Sequence, residues 1–192
     1  MARRTAAWLR AGAPVALSVL WLSACSARLA PTDGVSVHVK SVRVDPRTAA
    51  PVVLLQENDG QRRRLPIWIG PYEAQSIALG LDRDFSAPRP NTHDLIANLI
   101  DGIEGRLARV VITELVNGTY FAVIVVEVGG RSVRVDSRPS DAIAVALRTH
   151  TPLYATDRVL RQAAGLEPGE AAVEIGLDPR QSEPIFDEIH SH

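Results

Sequence analysis

Two short polar segments, residues 90–94 (PNTHD) and 135–141 (VDSRPSD), interrupt stretches of the chain that are otherwise apolar. A histidine beside carboxylates can accept a proton or bind a metal ion, and a nearby arginine can bind an anion. Phosphodiester hydrolysis uses these groups, and a divalent metal ion of unspecified identity is the candidate cofactor. The two segments contain our candidate catalytic residues, which are His93, Asp94, Asp136, Arg138 and Asp141.

Helix capping offers a structural explanation for several acidic residues of this kind. Asp94 falls in the first turn of a predicted helix, close to the capping candidates Asn91 and Thr92. Asp141 and Glu73 each stand two residues after a proline that opens a predicted helix, where the helix dipole favours an acid. For these three acids, a structural role and a catalytic role both remain open.

Asp136 and His93 have the stronger functional case. Asp136 ends an alternating strand, and its side chain is predicted to point away from the face that carries Val133 and Val135. His93 is our first choice for a general base, because the dipole at a helix N-terminus disfavours its charged form and so gives it no capping role. Arg138 either forms an ion pair with Asp136 or binds phosphate.

Several other kinds of active site lack the residues that they need. The chain has a single cysteine, Cys25, so an intramolecular disulfide is impossible and a cysteine-based enzyme is disfavoured. It contains no glycine-rich phosphate loop, no dinucleotide-binding fingerprint and no Gly-x-Ser-x-Gly elbow. Its five histidines are scattered without i,i+4 pairs, which argues against a structural zinc site.

The first 25 residues resemble a bacterial lipoprotein signal. Arg3, Arg4 and Arg10 form a positive region, and residues 11–22 (AGAPVALSVLWL) are apolar and uncharged. Twelve helical residues rise only about 18 Å, which is too short for a hydrocarbon core of about 30 Å. The segment ends in Leu-Ser-Ala-Cys, which predicts lipidation of Cys25 and anchoring on the extracytoplasmic side of a membrane in the cell envelope.

Charge is distributed unevenly along the chain. Its 192 residues carry 21 basic and 22 acidic side chains, a net charge of −1, which rules out a basic protein that coats nucleic acid. Without residues 1–24 the chain has 18 basic and 22 acidic side chains, a net charge of −4. We divide the chain into a signal peptide (1–24), a tether (25–34), one domain (35–161) and an acidic tail (162–192) with a short strand near 172–177.

Apolar periodicity predicts seven strands and three helices within the domain. The turn 58–60 (NDG) and the pair Asn117-Gly118 are hairpin signals, and the first strand slips once in its alternation near Lys40. The predicted strands are 35–44, 52–56, 65–69, 106–116, 119–128, 131–136 and 153–155, and the predicted helices are 71–81, 92–103 and 139–149.

The chain also repeats itself. Residues 53–57 (VLLQE) correspond to residues 123–127 (VIVVE), and each segment is followed by a glycine turn, a returning strand and a helix that opens with proline and an acid. The predicted fold class is therefore α+β. We expect an internal duplication of two β-hairpin/strand-plus-helix units that share one core, with a mainly antiparallel or mixed sheet.

Four longer blocks of the sequence resemble the bifunctional nuclease domain proteins of bacteria and plants. They follow the order of that family, and the resemblance covers roughly residues 35–160. It implies a compact α+β domain and nuclease activity on both DNA and RNA, as attributed to plant members, with the five candidate residues as the motif residues. The blocks are 65–74 (LPIWIGPYEA), 88–95 (PRPNTHDL), 117–120 (NGTY) and 135–144 (VDSRPSDAIA).

We therefore expect a nuclease that is tethered to the cell envelope through lipidated Cys25. In that location it would meet foreign or released nucleic acid. The expected partners are nucleic acid (DNA or RNA), a membrane reached through the lipid anchor, and a second copy of the chain. The alternative is a non-catalytic binding or assembly module at the envelope, which the net charge of −4 and the capping explanation of the acids favour.

Overall fold

A computed structural model describes residues 34–82, 87–166, 168–169 and, as backbone, 173–174. The predicted signal peptide, the predicted lipidation site Cys25, nearly all of the predicted tether and most of the acidic tail lie outside these residues. No helix in the described part of the chain is both long and apolar enough to span a membrane.

The described residues form eight strands and four helices. The strands are β1 (Val35–Val44), β2 (Pro51–Glu57), β3 (Arg64–Trp68), β4 (Arg106–Val116), β5 (Thr119–Val128), β6 (Arg131–Ser137), β7 (Leu153–Ala155) and β8 (Val173–Glu174). The helices are α1 (Pro71–Leu81), α2 (Thr92–Gly102), α3 (Pro139–Arg148) and α4 (Asp157–Gln162). All seven predicted domain strands and three predicted helices are present, β8 lies within the strand predicted in the tail, and α4 was not predicted.

The strands form one mixed sheet in the order β3-β2-β1-β7-β4-β5-β6, and β8 pairs with β1. Every pairing is antiparallel except that between β4 and β7. The predicted α+β class with a mainly antiparallel or mixed sheet is therefore confirmed. Each half of the sheet is a three-stranded meander followed in the chain by helices, and its origin by duplication stays a prediction.

Local sequence signals explain how the meanders turn and where β1 is irregular. Asn117 and Gly118 both have positive φ (50° and 79°), as the tight β4–β5 hairpin requires. The pairing of β1 with β2 shifts register between Val39 and Ser41, which confirms the slip that the sequence predicts there.

The core lies between the sheet and the helices. Helices α1 and α3 pack against each other, and each also contacts the sheet, while α2 packs on α3 and β4. Small residues on α3 (Ala142, Ala144 and Ala146) are buried, which lets these elements approach closely. Strand β6 is an edge strand, and its Val133 and Val135 are 44% and 45% exposed. This edge remains open beside the helices and forms one wall of the candidate site.

Candidate functional site

A cleft of about 870 Å³, which we call the main cleft, lies between α1, α2, the start of α3 and the edge of β5 and β6. Apolar residues from all of these elements line part of its surface, including Leu79, Ile96, Ile124, Val135 and Val145. Its polar lining is Glu73, Gln75, Ser76, Asn91, Thr92, His93, Asp136, Ser137, Arg138 and Asp141. The cleft therefore brings both polar sequence segments to one surface.

Helix starts position most of these polar side chains. Asn91 caps α2 by accepting hydrogen bonds from the backbone N–H groups of His93 and Asp94, which fixes His93 in the first turn. Pro139 occupies the first turn of α3 and leaves Arg138 as its N-terminal flanking residue in extended conformation. Residues from both helix starts line the main cleft.

His93 joins α1 to α3 through its ring. Its Nδ1 lies 2.8 Å from Ser76 Oγ, and its Nε2 lies 3.3 Å from Asp141 Oδ1. The side chain is only 13% exposed, so few other groups compete for these two contacts. His93, predicted as the base, is therefore at the centre of the polar cluster.

Arg138 holds the carboxylate of Asp141 from the other side. Its Nε and Nη2 donate to Asp141 Oδ2 and Oδ1 at 2.7 and 2.9 Å, and its Nη1 lies 3.0 Å from Glu73 Oε1. Burial pushes the pKa of Asp141 upward, but the hydrogen bonds from Arg138 and His93 hold that pKa below its usual value. Asp141 is consequently a carboxylate near neutral pH.

Of the two alternatives for Arg138, the ion pair with Asp136 is wrong, because Arg138 contacts Asp141 and Glu73 instead, and phosphate binding stays a prediction. Asp136 borders the main cleft and is exposed. It lies opposite Val123 in the β5–β6 ladder, whereas Val135 lies opposite core residue Ile124. Val135 and Asp136 both line the main cleft, so the orientation of Asp136 away from Val135 stays a prediction, and its side chain makes no hydrogen bond or ion pair within the described residues.

Asp94 has mainly structural partners. Its Oδ2 accepts from the backbone N–H of Asn91 at 2.9 Å, which completes a capping box and confirms the capping interpretation. Its Oδ1 accepts from Nε of Arg148, whose side chain is only 10% exposed. Asp94 faces a second, smaller cleft with Arg148 and His150, so the structure separates it from the cluster around its neighbour His93.

Glu73 and Asp141 do occupy the first turns of α1 and α3, as predicted, but no side chain makes a cap hydrogen bond at either helix. Both carboxylates bind Arg138 instead. The predicted position of these two acids in the first turn of a helix is therefore confirmed, but the prediction that they cap the helix is wrong. Their partner is the side chain of Arg138, which lies outside both helices.

Sequence reasoning missed Ser76 and Arg148. Ser76 stands among the buried positions of α1, and a polar residue on an otherwise apolar helix face was the available signal. Arg148 Nη1 donates to the carbonyl oxygens of Ser76 and Ala144 at 3.2 and 2.7 Å, and its Nη2 donates to Ser76 Oγ at 3.2 Å. These contacts tie the end of α3 to the middle of α1.

The described residues do not by themselves supply a metal site. No group of three or more His, Cys, Asp or Glu side chains among them could hold a metal ion. Asp141 and Glu73, the carboxylates nearest the cluster, already accept from Arg138. The divalent ion therefore stays a prediction.

The part of the chain that forms the main cleft is also the part that matches a known protein family. The sequence profile of the bifunctional nuclease domain matches residues 53–167, which include His93, Arg138 and Asp141. The chain belongs to the bifunctional nuclease domain family. This confirms the resemblance seen in the sequence. The predicted lipoprotein signal lies outside the matched residues and stays a prediction.

Individual members of the family include bacterial and plant proteins. An uncharacterized protein of Mycobacterium tuberculosis is 42% identical over 147 residues, which cover 77% of this chain and 87% of that protein. Bifunctional nuclease 1 of Arabidopsis thaliana is 35% identical over 109 residues, which cover 54% of this chain and 32% of the plant protein. Bifunctional nuclease 1 of Oryza sativa subsp. japonica is 29% identical over 119 residues, which cover 59% of this chain and 35% of the rice protein.

Proposed function

We propose that this protein is a nuclease that hydrolyses phosphodiester bonds of DNA, RNA or both in the main cleft. The observation that carries this proposal is the cluster of His93, Asp141 and Arg138, which joins a proton acceptor to an anion-binding group in a member of the bifunctional nuclease domain family. The plant relatives are named bifunctional nucleases, and this chain shares only part of their length.

Arg138 is suited to bind the phosphate. A guanidinium group has five N–H donors. Asp141 and Glu73 occupy three of them, which leaves two for phosphate oxygens. The side chain is 66% exposed at the cleft, so a substrate reaches it without displacing core residues. The surrounding carboxylates limit the attraction for a polyanion, so we expect Arg138 to contact one phosphate rather than a long backbone segment.

The test is cleavage of single-stranded RNA and DNA by the purified protein, with and without a divalent ion. Removing a general base lowers the rate by about 10²–10⁴-fold. We therefore expect His93→Ala to lose at least 10²-fold in kcat/KM. His38→Ala is the matched control, because His38 is an exposed residue of β1 and its side chain bonds only Asn58.

Equal traces of cleavage by wild type and the His93→Ala variant would identify the activity as a contaminant. Loss of cleavage with a chelator, and its return with one added divalent ion, would establish the metal requirement. Full activity in chelator would rule the ion out as a cofactor. The comparison of RNA with DNA under the same conditions then measures substrate preference.

We also propose that Cys25 is lipidated and holds the domain at the extracytoplasmic surface of a membrane. The order of positive region, apolar region and small residues before Cys25 supports this. Mass spectrometry of the full chain expressed in bacteria should find residues 1–24 removed and acyl groups on Cys25. A Cys25→Ala variant should leave the membrane fraction, and an unmodified Cys25 in mature wild type would contradict lipidation.

A non-catalytic binding or assembly module at the envelope is the second candidate function. It is favoured by Leu95 and Leu99 of α2 and by Ile103, which caps the end of that helix; they are spaced four residues apart and are 52%, 58% and 58% exposed. Light scattering and pull-down from envelope extracts would test it. Leu99→Glu should abolish association with a second copy or a partner, whereas a monomer with no partner at all would count against this function.

A further inference from the structure

We propose that Ser76 is the nucleophile of this site and that His93 is its general base, so that hydrolysis proceeds through a covalent intermediate in which a phosphodiester joins Ser76 to one nucleotide. This inference rests on the proposed phosphodiesterase function and adds to it the reacting atom. The juxtaposition that carries it is Ser76 Oγ at 2.8 Å from His93 Nδ1, with Asp141 on the opposite ring nitrogen. Such an arrangement can activate a serine hydroxyl by general base catalysis.

The hydrogen-bond donors and acceptors determine which proton His93 can take. Asp141 is a carboxylate, because Arg138 and His93 hold its pKa below the usual value, and a carboxylate only accepts hydrogen bonds. His93 Nε2 must therefore carry a hydrogen to bond Asp141 Oδ1. A neutral imidazole then has its lone pair on Nδ1, and that nitrogen faces Ser76 Oγ. The hydroxyl of Ser76 is the group placed to donate to the base.

Arg148 favours the ionised form of the same hydroxyl. Its Nη2 donates to Ser76 Oγ at 3.2 Å, while its Nη1 is held by the carbonyl oxygens of Ser76 and Ala144. Asp94 fixes the guanidinium from a third direction. A positive charge fixed beside the oxygen stabilises the alkoxide that develops when the proton moves to His93. Arg148 and Asp94 are therefore positioning residues for Ser76.

Ser76 also has access to a substrate. It lines the main cleft, although most of the residue is covered by its neighbours in the helix cluster. Arg138 lines the same cleft and keeps two N–H donors free for phosphate oxygens. A phosphate bound by Arg138 is therefore exposed to the cleft that contains the hydroxyl. A serine in the middle of α1 gains no helix-capping advantage that would otherwise explain its presence.

The reaction balances without an oxidant, reductant or second substrate other than water. Ser76 Oγ forms a bond to phosphorus as its proton passes to His93 Nδ1, and the P–O bond to the leaving group breaks. The leaving alkoxide departs on the side of phosphorus opposite Ser76 and takes its proton from solvent, while His93 Nδ1 keeps the proton from Ser76. Water then attacks the covalent intermediate from that opposite side and releases a proton to solvent, and the Ser76 oxygen leaves and takes back the proton that His93 Nδ1 holds. The products are a nucleotide phosphate, an alcohol and the restored serine.

Labelling of the full chain with diisopropyl fluorophosphate tests the nucleophile without requiring nuclease activity. Peptide mass spectrometry should locate the adduct on Ser76, and His93→Ala should slow labelling on the order of 10²-fold or more. Ser41→Ala is a matched control, because Ser41 is also buried but its Oγ makes no hydrogen bond. Labelling of other serines but not of Ser76 would overturn the inference.

Stereochemistry at phosphorus provides a second measurement that needs no variant. Cleavage of a chiral phosphorothioate diester should proceed with net retention, because two displacements each invert the centre. Net inversion would show direct attack by water and would overturn the Ser76 inference while the nuclease function stands. An adduct on Ser76 in a protein that cleaves neither RNA nor DNA would support the nucleophile and refute the proposed function.

Discussion

Asp94 separates structural from catalytic contributions at this site, because its carboxylate has two structural partners and lies away from the main cleft. Replacing Asp94 with Ala removes the capping hydrogen bond to the backbone N–H of Asn91 and the ion pair with Arg148. Replacing it with Asn retains an oxygen that can accept from Asn91 and removes the charge that pairs with Arg148. The two variants therefore separate the cap from the ion pair.

The structure allows the free energy of unfolding to be estimated for each variant. A capping interaction contributes about 1 kcal/mol. A hydrogen bond to a charged group contributes about 1.5–3 kcal/mol, and the lower end applies because Asp94 is 29% exposed. We expect Asp94→Asn to lose about 1–2 kcal/mol and Asp94→Ala about 2–3 kcal/mol. For a chain of this size, each kcal/mol of lost stability lowers Tm by about 2–4 °C.

Urea unfolding followed by circular dichroism measures the loss, and cleavage assays well below the melting temperature measure function. A folded Asp94→Asn variant should keep kcat/KM within about tenfold of wild type, because Asp94 acts on Ser76 only through Arg148. Loss of activity comparable to that of His93→Ala in a folded Asp94→Asn variant would refute a structural role. Unchanged stability of Asp94→Ala would refute the energetic reasoning.

Two further predictions concern stability away from the cleft. Burial raises the pKa of Asp45, but hydrogen bonds from Arg47, Trp68 and Gly169 lower that pKa to about 2. Ionised Asp45 therefore stabilises the folded state above the unfolded pKa of 3.8, and this stabilisation is lost as the pH falls from about 4 to about 2. Asp45→Asn should flatten Tm against pH in that range, and an unchanged slope would contradict this. His150 lies two residues after the end of α3 and has a φ of 51°, so His150→Gly should raise the free energy of unfolding in urea by about 0.5–1 kcal/mol, whereas His150→Ala should not.

Signals that act within a few residues could be predicted from the sequence. Asn117-Gly118 specifies its hairpin because both residues accept positive φ, and Asn91 with Asp94 specifies the start of α2 because both bond to nearby backbone N–H groups. Pro71 and Pro139 mark the first turns of α1 and α3 for a similar local reason. The strands and the three longer helices follow from such local rules together with apolar periodicity.

The partners of the site residues could not be predicted in this way. His93 meets Asp141 across 48 residues of sequence, and Arg148 meets Ser76 across 72. These contacts depend on the packing of α1 and α2 against α3 and on side-chain directions that no local pattern specifies. The sequence therefore left Arg138 with two alternatives, an ion pair with Asp136 or phosphate binding, and did not indicate its partners Asp141 and Glu73.

By itself, the sequence determined the α+β class, the family and the short list of candidate reactive residues, because turns, apolar periodicity and motifs depend on residues close together in the chain. Only the tertiary structure decided which of these residues lie together in the main cleft and which have structural partners. It placed His93, Arg138 and Asp141 together, assigned Asp94 to a cap and an ion pair, and brought Ser76 to the imidazole. The physical reason is that catalytic geometry depends on distances between helices, which packing of the whole core sets.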